Sequence, residues 1–279
     1  MKNFNLLELA KKQMIICAHR GAWGGNIPCN TAASFDTAIH QGADMVEMDI
    51  TASADGELFV FHPGQEAWQL KRDDVDIRKL SADEVKKLRY VNRDGNATTE
   101  PIYLFDDILE HLKGRCYINV DKFADNPAEI IQKIKAHNMS DQIVAKSCVE
   151  PEVLDMMETY ASDLQYIGII PDRPEMHDVL MKRKLNYVGL EVVFTDDSAT
   201  VVSDEFRNRV HADGKLLWGN GIVFDYQKVL AGVHSDDTAV KGNMDLGWGF
   251  FAEKGFDIIQ TDWPMALSVY LEKIGRRYR

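Results

Sequence analysis

The chain has 279 residues, 45% of them hydrophobic and 27% charged, a balance that excludes a disordered chain or a small disulfide-dependent fold and suits one α/β barrel of about 250 residues. Its 32 lysines and arginines against 44 aspartates and glutamates leave a formal net charge of -12, which argues against nucleic acid and anionic membranes as partners. No run approaches the roughly 18 apolar residues of a membrane span, and residues 1–14 contain no apolar signal core, so the chain as it stands is expected to be cytoplasmic, with no transmembrane segment.

Short apolar runs at 14–18, 45–50, 58–61, 116–120, 143–147, 166–170, 187–193, 215–218 and 256–260 are separated mostly by amphipathic segments. Those segments carry helix punctuation: Ser81 with Glu84 forms a capping box, Asn126-Pro127 opens a helix, and Gly42 and Gly114 stand where helices stop. There is no fixed-period repeat and no linker. The alternation therefore predicts an α/β fold, a single (β/α)8 TIM-type barrel over residues 1–279, in preference to an open doubly wound sheet. Nine runs exceed eight barrel positions by one. The segment 51–57 is too short for a parallel crossover and contains Asp55-Gly56, so the third run is expected as a short antiparallel hairpin strand beside the second barrel strand. Taking Asp55 and Gly56 as the two turn residues pairs Ala54 with Glu57 and sets His62 opposite Asp49. Cys17, Cys29, Cys116 and Cys148 show no paired spacing and are expected as buried free thiols.

On the second strand Glu47 and Asp49 are two residues apart, so both carboxylates face one side, between Val46, Met48 and Ile50. Two acids on an inward face call for a counter-charge, and a metal or active-site role follows. The first strand ends in His19-Arg20-Gly21, where a barrel carries its chemistry. With His62 these residues offer two imidazoles for acid and base work, carboxylates for a cation and a guanidinium for an oxyanion. Asn119 and Asp121 share a face on the next barrel strand, so Asp121 can join the acids, while Lys122 lies at the strand end. Glu191 and Trp218 are accessory candidates: the acid would line the mouth, and the indole would either pack in the barrel or wall a substrate. His40, His111, His137, His177, His211 and His234 fall on predicted helices or loops and are read as structural or solvent-facing.

The order of these motifs resembles the glycerophosphodiester phosphodiesterase family, a PLC-like phosphodiesterase barrel. The matching residues are His19-Arg20-Gly21, Asn30-Thr31, Gly42-Ala43-Asp44 with Glu47 and Asp49, Asp55-Gly56, Phe61-His62, Asp121-Lys122, and Gly255-Phe256-Asp257 through Thr261-Asp262-Trp263-Pro264. They span residues 14–270. The resemblance implies a divalent cation (Mg, Ca or Mn) on Glu47, Asp49 and Asp121, His19 and His62 as the acid/base pair, and Arg20 and Lys122 on the substrate phosphate. Three carboxylates against one divalent cation, Arg20 and Lys122 leave about one positive unit, which a phosphodiester anion neutralises. The chain departs from the family pattern at Cys29, where Glu is usual, at Pro63 after His62, where Asp is usual, at Asp121, where Glu is commoner, and at Lys122, which directly follows the acid instead of lying two residues on. Neighbouring side chains on a strand face opposite ways, so Lys122 would point away from Asp121.

The expected activity is metal-dependent hydrolysis of a small-molecule glycerophosphodiester to glycerol 3-phosphate and an alcohol, with water or the substrate's own neighbouring hydroxyl attacking phosphorus. Two alternatives stand beside it: a lysophospholipase D or cyclising phospholipid lyase on the same barrel, and a catalytically inactive phosphodiester-binding protein. An acyl chain would need an apolar mouth, and the Asp, Lys and Arg-rich segment 63–99 argues against one. Oligomeric state has no signature in the sequence.

Overall fold

The computed structural model describes residues 4–223 and 228–278. Its strands, in chain order, are β1 (Ile15–Ala18), β2 (Met45–Ala52), β3 (Leu58–Val60), β4 (Arg89–Val91), β5 (Ala97–Pro101), β6 (Tyr117–Asp121), β7 (Ile143–Cys148), β8 (Gln165–Pro171), β9 (Asn186–Val193), β10 (Leu216–Asn220) and β11 (Ile258–Thr261). Eight of them, β1, β2 and β6 to β11, run parallel and close into a barrel because β1 pairs with both β2 and β11. The expected (β/α)8 barrel is present. Gly42 and Gly114, both at positive φ, follow the helices Ala32–His40 and Phe105–Leu112, and the Ser81–Glu84 capping box forms.

Strand alternation divides the core in two. Ile16, Ala18, Val46, Met48, Ile118 and Val120 face the helices, while Ile15, Cys17, Met45, Tyr117, Val144, Ile167, Trp218 and Ile258 fill the barrel from inside. Leu6, on the N-terminal helix Leu6–Ala10, belongs to this inner cluster, and its backbone N–H donates to Gln165 Oε1 at 2.9 Å, so the helix stoppers the barrel at the start of β8. Two residues further along the same inward rows the character changes. Met45 gives way to Glu47 and Asp49, Tyr117 to Asn119 and Asp121, Val144 to Lys146, Trp218 to Asn220 and Ile258 to Gln260. The result is an apolar base beneath a polar upper interior at the C-terminal ends of the strands.

β3 lies antiparallel to β2 as expected, but the register differs by one residue. Ile50, Thr51 and Ala52 pair with Val60, Phe59 and Leu58, and Asp49 O accepts from Phe61 N at 3.0 Å, so Phe61 and not His62 stands opposite Asp49. The turn is longer than the two residues expected. Ser53 N donates to Glu57 O at 2.9 Å, Gly56 N donates back to Ser53 O, and Gly56 takes φ 86, giving a three-residue loop, Ala54 to Gly56, with glycine in the left-handed position. His62 is thereby released from the ladder into the following loop.

The Asp, Lys and Arg-rich segment 63–99 leads into a second hairpin, β4 with β5, that turns at Asp94-Gly95 with Gly95 at φ 75. Tyr90, Ile77, Val85 and Ile102 pack with Phe59 and Phe61, and the Tyr90 hydroxyl donates to Val60 O at 3.1 Å, so the insertion forms a lobe over β3. Cys17, Cys29 and Cys116 are buried and outside any disulfide, as expected; Cys148 is exposed, because β7 runs on until its last residue reaches the barrel rim. Among the described residues no helix is long and apolar enough to cross a membrane.

Leu6 is fully buried beneath the barrel. Leu6→Ala should leave a cavity there and lower the free energy of unfolding by about 2–5 kcal/mol, read as a reduced midpoint in a urea titration with the slope unchanged. An unaltered midpoint would show that the helix does not stopper the barrel.

Candidate active site

The site begins with register. β2 and β6 are neighbouring parallel strands in which Asp49 pairs with Asp121 and Glu47 with Asn119, so three inward carboxylates converge without any loop to bring them together. Carboxylate oxygens of Glu47, Asp49 and Asp121 lie within 4.8 Å of one another. Glu47 and Asp49 are almost wholly buried, at 2% and 1% exposure. Burial, and then the charge of Asp49, pushes Glu47 up to about 7. Burial opposes the charge on Asp121 as well, but Lys146 and Lys122 outweigh it and hold Asp121 below the usual carboxylate range.

The surrounding donors satisfy this cluster only in part. Glu47 Oε2 accepts from Arg20 N at 2.9 Å; Asp49 Oδ2 accepts from Asn30 Nδ2 at 2.9 Å and lies 2.9 Å from Arg20 Nε. Asp49 Oδ1, although buried, has no hydrogen-bond partner. An unmatched carboxylate oxygen among three acids is what a cation would complete, and an all-oxygen donor set suits a hard divalent ion.

Three residues bordering the cluster, Arg20, Asn30 and Lys122, have positive φ (56, 58 and 59°) without being glycine. Such backbone is uncommon and gathers at functional sites. At Lys122 it has a direct consequence. The left-handed turn breaks the strand alternation that would have sent the side chain away, and Nζ lies 3.8 Å from Asp121 Oδ2 with a third of the side chain exposed. Arg20 is more tightly held, between Asp49 and Gln65, whose Oε1 accepts from Nη1 at 2.8 Å.

His19, directly after β1, donates from Nδ1 to Asp262 Oδ1 at 2.9 Å. Burial disfavours the charged ring, yet the hydrogen bond and charge of Asp262 prevail and raise its pKa. His62 donates from Nδ1 to Pro63 O at 2.9 Å, and its Nε2 is 3.9 Å from Asp49 Oδ1. Burial pushes His62 below its usual value. His62 thus reaches Asp49 from the loop, not through the hairpin register. The proline that replaces an acidic residue here supplies a carbonyl that orients the ring, and Cys29, whose thiol burial pushes up to about 12, is neutral where the family pattern usually has a carboxylate.

Glu191 does not reach the acidic cluster as a free ligand. It lies inside the barrel, accepting from Lys146 Nζ at 2.7 Å and from Asn220 Nδ2 at 3.1 Å. Trp218 is fully buried, with Lys146 Nζ 4.5 Å from its ring centre, which makes it packing in the barrel and not a substrate wall. The sequence reading assigned no role to Lys146, whose only signal was a charge within the apolar run 143–147. It likewise gave none to Asn30, Gln65 or Asp262; the first and last stood within recognised motifs, but their partners are distant in sequence. The other histidines are structural or solvent-facing as expected: His111, His137, His177, His211 and His234 each pair with an aspartate, and His40 is exposed on its helix.

The glycerophosphoryl diester phosphodiesterase family model matches residues 19–219. A glycerophosphodiester phosphodiesterase of Caldanaerobacter subterraneus subsp. tengcongensis is 25% identical over 241 residues, covering 68% of this chain and 96% of the relative. The crystal structure of a glycerophosphoryl diester phosphodiesterase from Parabacteroides distasonis superposes with a TM-score of 0.75 at 15% identity, over 97% of this chain and 92% of the other. An Oleispira antarctica phosphodiesterase, solved in complex with the product sn-glycerol-3-phosphate, does so with a TM-score of 0.66 at 19% identity, over 93% and 97% of the two chains. The family match covers well over half of the sequence and contains both histidines and all three clustered acids, and the chain belongs to the glycerophosphoryl diester phosphodiesterase family, a family of phosphoric diester hydrolases.

Proposed function

We propose that the chain, as one barrel domain over residues 1–279, hydrolyses a small glycerophosphodiester to glycerol 3-phosphate and an alcohol, with His19 and His62 as its acid and base. The observation that carries this reading is the convergence of Glu47, Asp49 and Asp121 between the two histidines at the C-terminal end of the barrel. Glycerol as the retained moiety is supported by the sn-glycerol-3-phosphate product bound to the Oleispira antarctica relative.

The two rings are held for different work. His62 Nδ1 carries the proton shared with the Pro63 carbonyl, which leaves Nε2 with a lone pair to accept a proton from the attacking water, or from the substrate's own neighbouring hydroxyl, in which case water then opens the cyclic phosphate. His19 is tethered by a carboxylate, which favours the imidazolium, and its Nε2 is the nitrogen left to protonate the departing alcohol as the phosphorus–oxygen bond breaks. Lys122, partly exposed at the end of β6, meets the phosphate. Arg20 faces both ways, holding Asp49 and Gln65 while lending its charge to the phosphate. A divalent cation on Glu47, Asp49 and Asp121, of the Mg, Ca or Mn kind, would polarise the phosphorus and offset charge developing on the phosphoryl oxygens.

Chelation should abolish turnover of glycerophosphocholine and a divalent cation should restore it, while the same cation raises the melting temperature of the chelator-treated protein by relieving repulsion among the acids. Glu47→Gln should lose both responses. Full turnover in excess chelator would defeat the cation assignment.

His19→Ala and His62→Ala should each reduce kcat by a factor of roughly 10² or more, measured at saturating substrate, and both should keep the cation-induced rise in melting temperature because neither ring is among the proposed ligands. Wild-type turnover in either variant would remove that histidine from the acid/base pair.

A further inference from the structure

One carboxylate that the chemistry above does not use is Asp236, the first residue of the helix Asp236–Val240 in the connection after β10. It is 2% exposed and accepts three hydrogen bonds: from Trp248 Nε1 at 2.7 Å and Thr261 Oγ1 at 2.8 Å on Oδ1, and from Asp262 N at 2.7 Å on Oδ2. Two of these donors belong to Thr261 and Asp262 at the end of β11, the same two residues that hold His19. Thr261 O accepts from His19 N at 3.1 Å, and Asp262 Oδ1 accepts from His19 Nδ1 at 2.9 Å.

The carboxylate is itself locked in place. Asp236 N donates to Gly221 O, and Gly221 N donates to Gln260 O at 2.9 Å, which ties the end of β10 to that of β11. A Cβ at position 221 would lie 3.0 Å from Asp236 Oδ1 and 3.1 Å from Gln260 O, so glycine there permits the close approach. Burying a carboxylate near the like charge of Asp262 is unfavourable, and burial with that charge pushes Asp236 up to about 7. All three partners are donors, however, and an amide in its place would turn an NH2 group towards at least one of them.

We propose that Asp236 is a positioning residue for His19: by clamping Thr261 and Asp262 it fixes the carboxylate that holds the imidazole with Nδ1 protonated and Nε2 facing the substrate. The inference rests on His19 being part of the acid/base pair. The hydrogen bonds of the Asp236 carboxylate go to Trp248, Thr261 and Asp262 and to none of the three clustered acids, so its effect should travel through the ring and not through cation binding.

The test is Asp236→Asn in the full chain, assayed on glycerophosphocholine with cation present. Its kcat should fall by roughly tenfold to a hundredfold with little change in KM, the signature of a misplaced group that acts in the transition state. In ¹⁵N-correlated histidine spectra the His19 ring, assigned by its absence from His19→Ala, should lose the single hydrogen-bonded Nδ1–H signal that Asp262 holds. The cation-induced rise in melting temperature should remain, and the substitution should add no further loss in a His19→Ala background. Should Asp236→Asn fail to fold, Gly221→Ala, which crowds the same carboxylate, is expected to change kcat and the His19 signal in the same direction. A folded variant with wild-type kcat and an unchanged His19 Nδ1–H signal would overturn the proposal, as would an equal loss in the His19→Ala background. Wild-type kcat in His19→Ala alone would instead overturn the acid/base reading, with the ring spectra still deciding whether Asp236 orients His19.

Discussion

Three carboxylates within 4.8 Å of one another, two of them buried and the third half-buried, set the terms for the surrounding structure. Such a cluster repels itself and loses hydration, so it persists only where the fold supplies counter-charge and donors. Arg20 provides both, its backbone N–H to Glu47 and its guanidinium to Asp49. Asn30 binds Asp49 in both directions, donating from its amide and accepting the Asp49 backbone N–H at 3.3 Å. Deeper inside, burial disfavours the Lys146 ammonium, yet Glu191, Asp121 and Glu47 keep it charged. Lys146 therefore couples the acidic cluster above it to the Glu191, Asn220 and Gln260 group at the same level of the barrel. The left-handed backbone at Arg20, Asn30 and Lys122 is borne in that same small volume, where the local network over-determines each conformation.

The layering of the barrel makes this arrangement affordable in a chain of ordinary composition. Inward positions near the strand starts are apolar and close-packed, with Leu6 as the stopper; the same inward rows turn polar towards the strand ends. Charge is thus confined to one end, while the outer faces of the strands remain apolar beneath the helices. An overall charge of -12 is no obstacle to an anionic substrate, because the local field at the mouth includes Arg20, Lys122 and any bound cation.

Each departure from the family's sequence pattern has a local physical answer. Pro63 removes a side-chain acid beside His62 but offers its carbonyl to Nδ1. Lys122, one residue too early for its strand face, is brought back by a left-handed turn. Asp121 is a methylene shorter than glutamate, and its register opposite Asp49 still places it in the cluster. Cys29 is a buried neutral thiol and contributes no charge.

Much of this was legible in the residues themselves. Alternation of apolar runs with capped amphipathic segments determined a closed β/α barrel, since period, length and punctuation are local properties of the chain. Glu47, Asp49, Asp121, His19 and His62 could be singled out because a period of two and a strand end are also local. Tertiary structure alone decided which partners those residues meet. Asp262 lies 243 positions from His19, and Lys146 reaches Gln260 across 114; no periodicity encodes such pairings, because barrel closure brings them together. The hairpin register turned on whether Ser53 or Ala54 closes the loop, a choice made by the left-handed Gly56 and the Ser53–Glu57 hydrogen bonds. The β4–β5 lobe escaped notice because its strands are short and polar, and they gain their stability only by covering Phe59 and Phe61. Composition and spacing determine which groups are available and which way a regular strand turns them; packing decides which of them touch, because contact depends on distance in space and the chain records only distance along itself.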